Sequence, residues 1–255
     1  MQKQDMKRIF VGIAILLGTL ALLILIPLSK TQAVDRPYTR VIDPDMVVYG
    51  RTYGEWSAAW WQWAFSIPAA NHPLFDTGDC NVGQSGPVFF LGGKFCATGP
   101  NAPACTWGVS TRSCTMPAGK AVYFPIFNGE DSAPEEPNYG CGSTLPPLIP
   151  GTIAELRKCV DSWTTPVTEA SAEIDGKSVP NLIRNYRVQS TVFGITMPEG
   201  GVWEAIGENI PAGTYYPAAD DGVYLMLAPL SPGHHYIHFT SGGSQNITYD
   251  LIVSH

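Results

Sequence analysis

Charge is scarce in this chain. Asp, Glu, Lys and Arg make up 15% of its 255 residues, and no cluster of Lys or Arg occurs after Lys30. A surface without a basic patch offers nothing to the phosphates of nucleic acid or to an anionic bilayer, so no nucleic acid partner is expected. Chemical motifs are equally scarce. No two cysteines are spaced C-x-x-C, and H-E-x-x-H, G-x-S-x-G, G-x-G-x-x-G and the EF-hand spacing do not occur, which removes the usual marks of zinc hydrolases, serine esterases, dinucleotide sites and calcium loops. The stretch GPVFFLGGK from Gly86 is a poor phosphate loop, because its spacing is wrong and Phe95 stands where Ser or Thr is needed. No internal repeat is visible. After Ile26 no segment is apolar enough to cross a bilayer.

The chain opens with Lys3, Lys7 and Arg8, continues through an uncharged run from Ile9 to Ile26, and reaches the small-residue stretch Thr31-Gln32-Ala33. Basic, apolar and small-residue regions in that order form an export signal. The run is 18 residues, long for a signal peptide and just enough to span a membrane, so residues 1–33 are expected to be a signal peptide or an N-terminal membrane anchor made by residues 9–26. Either way the rest lies outside the cytoplasm, in a periplasmic, cell-surface or extracellular setting. The only membrane contact expected is through this segment, if it stays uncleaved. From Val34 there remain 222 residues, enough for one exported domain. Without Lys3, Lys7, Arg8, Lys30 and Asp5 it has 11 basic and 21 acidic side chains, a net charge of about −10. The 26 glycines and 22 prolines suit a turn-rich β protein.

All six cysteines, Cys80, Cys96, Cys105, Cys114, Cys141 and Cys159, fall in one stretch of the exported part. An even count in an oxidising compartment reads as three disulfides stapling a loop-rich insertion over residues 80–159. Sequence leaves the connectivity open. Cys80–Cys114, Cys96–Cys105 and Cys141–Cys159 is the arrangement adopted as an expectation.

Four of the seven tryptophans lie within eight residues, in TYGEWSAAWWQWAFSIP from Thr52. Thr52 and Glu55 have capping-box spacing and Pro68 ends the segment, which predicts a helix over 53–66. Trp56, Trp60 and Trp63 share one face, and Trp61 and Phe65 cover the next. A helix apolar nearly all round is a core helix. The sharper reading is that Trp61 or Trp63 lines a groove and stacks on a flat ligand such as a sugar. A second capping box, Thr152 with Glu155, opens a helix whose stripe is Ile153, Leu156, Val160 and Trp163, ending at Pro166.

Strands are expected at Val88–Leu91, at Lys120–Phe127, and at Glu169–Ile174 and Leu182–Gln189 around an Asp175-Gly176 turn. A meander of Tyr224–Leu227, His235–Phe239 and Ile247–Val253 follows. Pro125 calls for an edge or a bulge. Residues 92–117 read as insertion, and Gly194–Asp221 as a long Gly/Pro-rich connection, the place for a lid.

Three polar groups are candidate sites. The loop after Phe127 carries Glu130, Asp131, Glu135 and Glu136; solvated acidic loops are common, but two such carboxylates are also the equipment of glycoside hydrolysis or of Ca²⁺ binding. Asp76, Asp79 and Gln84, near His72, suit turn capping or ligand binding. His234, His235 and His238 are the densest histidine group, but His234 and His238 on one strand face stand about 13 Å apart, too far to chelate an ion unaided. No cofactor is predicted, with Ca²⁺ as the one open option.

The stretches GEWSAAWWQWAFSIP, GQSGPVFFLGG, CTMPAGKAVYFPIFNGE and DGVYLMLAPLSPGHHYIHF together resemble a group of exported bacterial proteins of unassigned function, from about Gly54 to Val253. The resemblance brings no catalytic or binding residues. The expected molecule is mainly β with two helices, a disulfide-stapled antiparallel β-sandwich of immunoglobulin-like or jelly-roll-like type. It is read as an exported envelope or extracellular module that binds a glycan or another surface component. The alternative is a secreted glycosidase-like hydrolase using the carboxylates of the 130–136 loop. Oligomeric state is left open.

Overall fold

The capping box at Thr52 forms as its spacing demands. The Thr52 hydroxyl accepts the Glu55 N–H, and Glu55 Oε2 accepts the Thr52 N–H at 2.7 Å, so helix α1 (Tyr53–Phe65) begins there and stops at Ser66, ahead of Pro68. The structure, a computed structural model, describes residues 40–76, 79–95, 108–133, 152–205 and 210–255. They belong to one compact unit, Tyr38–His255. After α1 come β1 (Val88–Phe90), β2 (Ser110–Pro117), β3 (Ala121–Ser132), α2 (Ile153–Thr164), β4 (Ala170–Ile174), β5 (Lys177–Ser178), α3 (Leu182–Tyr186) and β6 (Arg187–Gln189). The chain continues through β7 (Phe193–Met197), α4 (Val202–Ala205), β8 (Gly213–Leu227), β9 (Gly233–Ser241) and β10 (Gln245–Ser254).

Two sheets result. The first has the order β1-β3-β8-β6, with β7 also paired to β8, and the second β2-β10-β9-β4-β5. The mainly β expectation holds, but the wholly antiparallel one does not. β1 lies parallel to β3 and β2 parallel to β10. Each of these pairs is joined by a long excursion rather than a hairpin, so no tight turn forces the strands to run in opposite directions.

The layers explain the sequence of each strand. Along β3 and β8, Val122, Phe124, Val223, Leu225 and Leu227 face the second sheet and meet Phe239, Ile247 and Leu251, with Phe124 and Phe239 rings 5.5 Å apart. The alternate residues Tyr123, Tyr224 and Met226 face α1. A sheet covered on both faces reads as a continuous apolar run, as AVYFPIF and VYLML do. β9 and β10 have one wet face and alternate instead. The register shift between Pro125 and Phe127 is the bulge that the proline calls for. Helix α1 lies close to its sheet at Gly54, where an added Cβ would stand 2.4 Å from the Gln189 carbonyl oxygen.

Other elements depart from expectation. Residues 182–189 form α3 and the short β6 rather than one strand. Gly194–Asp221 is not a free connection: it supplies most of β7, then α4 and the first half of β8, held by β3, β6 and β7. The cysteine-bearing insertion contributes β2 to the second sheet. The Asp175-Gly176 turn joins β4 to β5 with φ of 51° and 75°, as the pair predicts. Of the expected disulfides, Cys80–Cys114 is present, its Cα atoms 6.0 Å apart. Cys159 on α2 is also disulfide-bonded. Cys96, Cys105 and Cys141, and the pairings expected for them, lie outside the described residues, as do residues 1–33 and their signal or anchor. Among the described residues no helix is long and apolar enough to cross a membrane.

Candidate functional site

Helix α1 spends three of its four indole N–H groups on fastening loops. Trp56 donates to Val48 O at 2.9 Å, Trp60 to Leu91 O at 2.9 Å and Trp63 to Val82 O at 3.0 Å. Trp63, one of the groove candidates, is buried against Trp60 and Phe90 and acts in the core. The fourth, Trp61, donates instead to a carboxylate, Asp220 Oδ1, at 2.8 Å.

That carboxylate belongs to a group that the sequence reading misplaced. Glu130 and Asp131 were expected on a solvated loop, but β3 runs on through Ser132, and the two residues are 7% and 1% exposed. What holds them there is the ladder with β8, in which Gly129 faces Asp221, Glu130 faces Asp220 and Asp131 faces Ala219. Neighbours along a strand point to opposite faces, so Glu130 and Asp131 do not form a facing pair. The facing pair is Glu130 and Asp220, whose Cβ atoms in such a ladder lie about 4.5–5.5 Å apart. Asp220 also accepts the Tyr224 hydroxyl at 2.7 Å, and Tyr224 in turn accepts Asn128 Nδ2 at 2.9 Å. Burial pushes the Asp220 carboxyl up to about 7, against the bonds from Tyr224, Trp61 and Ser57 and with help from neighbouring Asp221. On the other face, Asp221 is bound by Arg187 Nε at 2.8 Å and by the Thr164 hydroxyl at 3.1 Å.

A cavity of about 200 Å³ opens beside this group, where β1 has left the sheet and the flank of β3 at Asn128, Gly129 and Glu130 is uncovered by it. Trp60, Trp61 and Phe65 of α1 form one wall, Trp203 of α4 and Phe95 another, and Trp163 of α2 stands at the rim, 42% exposed. The rings brace one another: Trp60 and Trp61 edge to face at 4.9 Å, Trp61 and Phe65 at 5.1 Å, Phe65 and Trp203 at 5.8 Å, and Phe95 and Trp203 at 5.5 Å. Gly129 brings α2 this close, since a Cβ there would meet Val160, Thr164 and Trp163 at 3.3–3.5 Å. Lys94 also lines the cavity, with its ammonium 2.8 Å from Asp76 and 3.0 Å from Ser110. The arrangement is an aromatic slot with a carboxylate, Glu130, in its wall.

Comparison of the chain with protein-family models, curated proteins and solved structures finds no match. The site therefore has to be read from its own geometry. Trp61 and Glu130 are the predicted residues that the fold brings together. The others lie apart. Asp76 pairs with Lys94 and Arg112; burial works against its charge, yet the bonds from Lys94, Arg112 and Ser110 hold it below the usual carboxylate range. Asp79 caps the Asn81 N–H at 2.9 Å, and Gln84 stitches the backbones of Cys80 and Phe90 together, so both are used in turns. His234 bonds Asp250 at 2.9 Å, His235 faces Asp175 and the Ser231 carbonyl, and His238 bonds Asn246 at 3.1 Å. Among the described residues no group of three or more His, Cys, Asp or Glu is placed to hold a metal ion.

Asp220, Trp203, Phe95 and the rim position of Trp163 escaped the sequence reading. Trp203 and Asp220 lie in the stretch that reads as a connection, and Trp163 falls on the helical stripe with Ile153, Leu156 and Val160. One signal was available: two consecutive aspartates, Asp220 and Asp221, lead directly into the apolar run VYLML.

Proposed function

We propose that the protein is an exported module, built on a sandwich-like pair of sheets, that binds a ring-sized unit of a glycan or another envelope component in the aromatic slot. The observation that carries this reading is the convergence of four aromatic rings from two helices, Trp60, Trp61, Phe65 and Trp203, on one carboxylate-bearing strand flank. Indole faces stack on the apolar faces of sugar rings, and a carboxylate accepts hydroxyl hydrogens at the edge. At about 200 Å³ the cavity is below the range of about 300–1,000 Å³ that holds drug-sized ligands, which favours a single ring over an extended chain. The N-terminal basic and apolar segments support export.

The test is tryptophan fluorescence of the protein titrated with mono- and disaccharides. A saturable shift that disappears in Trp61→Ala, with circular dichroism unchanged, supports the reading; no shift with any sugar removes it.

A hydrolase is the second reading, and the facing carboxyl pair is its observation. One of these carboxyls, Asp220, retains its proton up to about pH 7, as a general acid must. Asp220 is sealed behind Trp61 and only 1% exposed, which favours binding over catalysis. Release of reducing sugar from a glycan by the protein, lost in Glu130→Gln, would reverse that preference.

A further inference from the structure

We infer that the slot takes an acetamido group, the N-acetyl arm of an amino sugar, with the side-chain oxygen of Asn128 accepting its N–H and the rings of Trp60 and Trp61 covering its methyl group. This rests on the slot being the ligand site and adds which part of the ligand enters it.

The orientation of the Asn128 amide is set from inside the protein. An indole has a donor and no acceptor, so Asp220 Oδ1 accepts the Trp61 N–H, at 2.8 Å. The same oxygen accepts the Tyr224 hydroxyl at 2.7 Å, and Tyr224, its own hydrogen used there, accepts from Asn128. The Asn128 nitrogen is therefore turned inward, 2.9 Å from the Tyr224 oxygen, and the amide oxygen is turned away from it. Among the described residues this is the one hydrogen bond of that amide, and Asn128 stands half-buried in the wall of the slot. Its oxygen is an acceptor held in place before anything binds, so little ordering is needed on association.

The rest of the wall decides what must lie beside the donor. Lys94 gives its ammonium to Asp76 and Ser110, and the Gln245 amide is bonded at both ends to the Lys94 backbone, at 2.7 and 2.9 Å. Glu130 has a partner of its own. The Trp60 and Trp61 N–H groups end on Leu91 O and Asp220, so these indoles offer the slot their carbon faces. An N–H flanked by a methyl group suits an acceptor flanked by rings: the N–H satisfies Asn128, and the methyl displaces water from the aromatic faces. A plain hydroxyl would satisfy Asn128 but leave those faces wet. An ammonium would bring a charge into a largely apolar slot whose carboxylate is already engaged. The sugar ring itself stays at the mouth, where Trp163 is 42% exposed and offers a face for it to stack on.

The experiment is a calorimetric titration of the full chain with three methyl glucosides that differ only at C2: the acetamide, its acetate ester and the free hydroxyl. The ester keeps the methyl and the carbonyl and loses the N–H. The acetamide is expected to bind about 10-fold or more tightly than either of the others. Asn128→Leu keeps the side-chain shape and removes the acceptor, and is expected to cut the preference for amide over ester to about 2-fold or less. Tyr224→Phe acts on the ligand only through Asn128, as a positioning residue; it is expected to lower the same ratio about 3-fold or more, whereas a structural role alone would weaken amide and ester alike. Equal affinities for amide and ester in the wild type, a comparison that needs no variant to fold, would overturn the assignment while leaving the slot as a binding site. A preference that survives in Asn128→Leu, or tightest binding by the hydroxyl form, would overturn it too. No heat from any of the three, and no fluorescence shift with other sugars, would remove the site and the inference together.

Discussion

Asp220 offers a measurement whose sign follows from the structure alone. Its carboxyl ionises near 7 in the folded protein and near 3.8 in an unfolded chain. Between those values the folded state holds a proton that the unfolded state has released, so stability is fully present below about pH 3.8 and is lost as the pH rises through 7. At 1.36 kcal/mol per pH step the whole loss is about 4 kcal/mol, and about 3 kcal/mol of it falls between pH 4.5 and 8. Asp220→Asn keeps the shape and an acceptor oxygen for Trp61 and Tyr224 but cannot ionise. Urea unfolding of both proteins at pH 4.5, 6 and 8, with disulfides intact, reads the contribution of Asp220 together with its coupling to Glu130 and Asp221, because titrating groups that do not interact with it cancel in the difference. The variant is expected to gain about 3 kcal/mol on the wild type from pH 4.5 to 8, a relative midpoint shift of about 1 M urea or more. A difference that moves by less than 1 kcal/mol, or in the opposite direction, would mean that Asp220 is ionised throughout, and the account of its burial would fall.

Gly54→Ala separates propensity from packing. An exposed helix would gain about 1 kcal/mol from alanine, but here the new Cβ would stand 2.4 Å from the Gln189 carbonyl, so a loss of about 2–3 kcal/mol or more is expected; a raised melting temperature would refute the close approach. Arg112→Met should cost about 3 kcal/mol in denaturant, because the guanidinium serves Asp76, the Gly92 and Gly93 carbonyls and the Tyr249 hydroxyl at once, and a variant within 1 kcal/mol of the wild type would show that water replaces it. Replacing Cys80 and Cys114 together by alanine frees a loop with ends 34 positions apart and should lower stability by about 3–4 kcal/mol by urea denaturation, with no change in circular dichroism.

What could be read from the sequence was what residues arrange locally. The capping box at Thr52, the Thr152 hydroxyl that accepts the Glu155 N–H, the Asp175-Gly176 turn, the proline bulge at Pro125 and the alternation of Ile247, Tyr249, Leu251 and Val253 act over a few positions, and all appear where they were expected. The misses share a different cause. Asn128-Gly129-Glu130-Asp131 has the composition of a loop, as does Ala218 to Gly222 with Pro217 before it, yet each is a strand because the other one pairs with it. Neither segment contains that information by itself. Gly222 shows how close the fit is: a Cβ there would lie 2.7 Å from Asn128 Cβ. The site lies on this pair of segments, so the part of the fold least legible from local pattern is also the part that forms the slot. Parallel pairing of β1 and β2 was hidden for a similar reason, since no turn in the sequence announces it.

The position of β10 has a consequence for how the chain comes together in time. The strand lies between β2 and β9, so β2 joins the rest of the second sheet only when residues 245–254 arrive. Up to that moment β2 has no neighbour in its sheet, and the inward faces of Val122, Phe124, Val223 and Leu225 lack part of their cover. The second sheet therefore closes only after residues 245–254 have joined it, and strands far apart in the chain, β2 and β9, depend on the same late segment for their pairing.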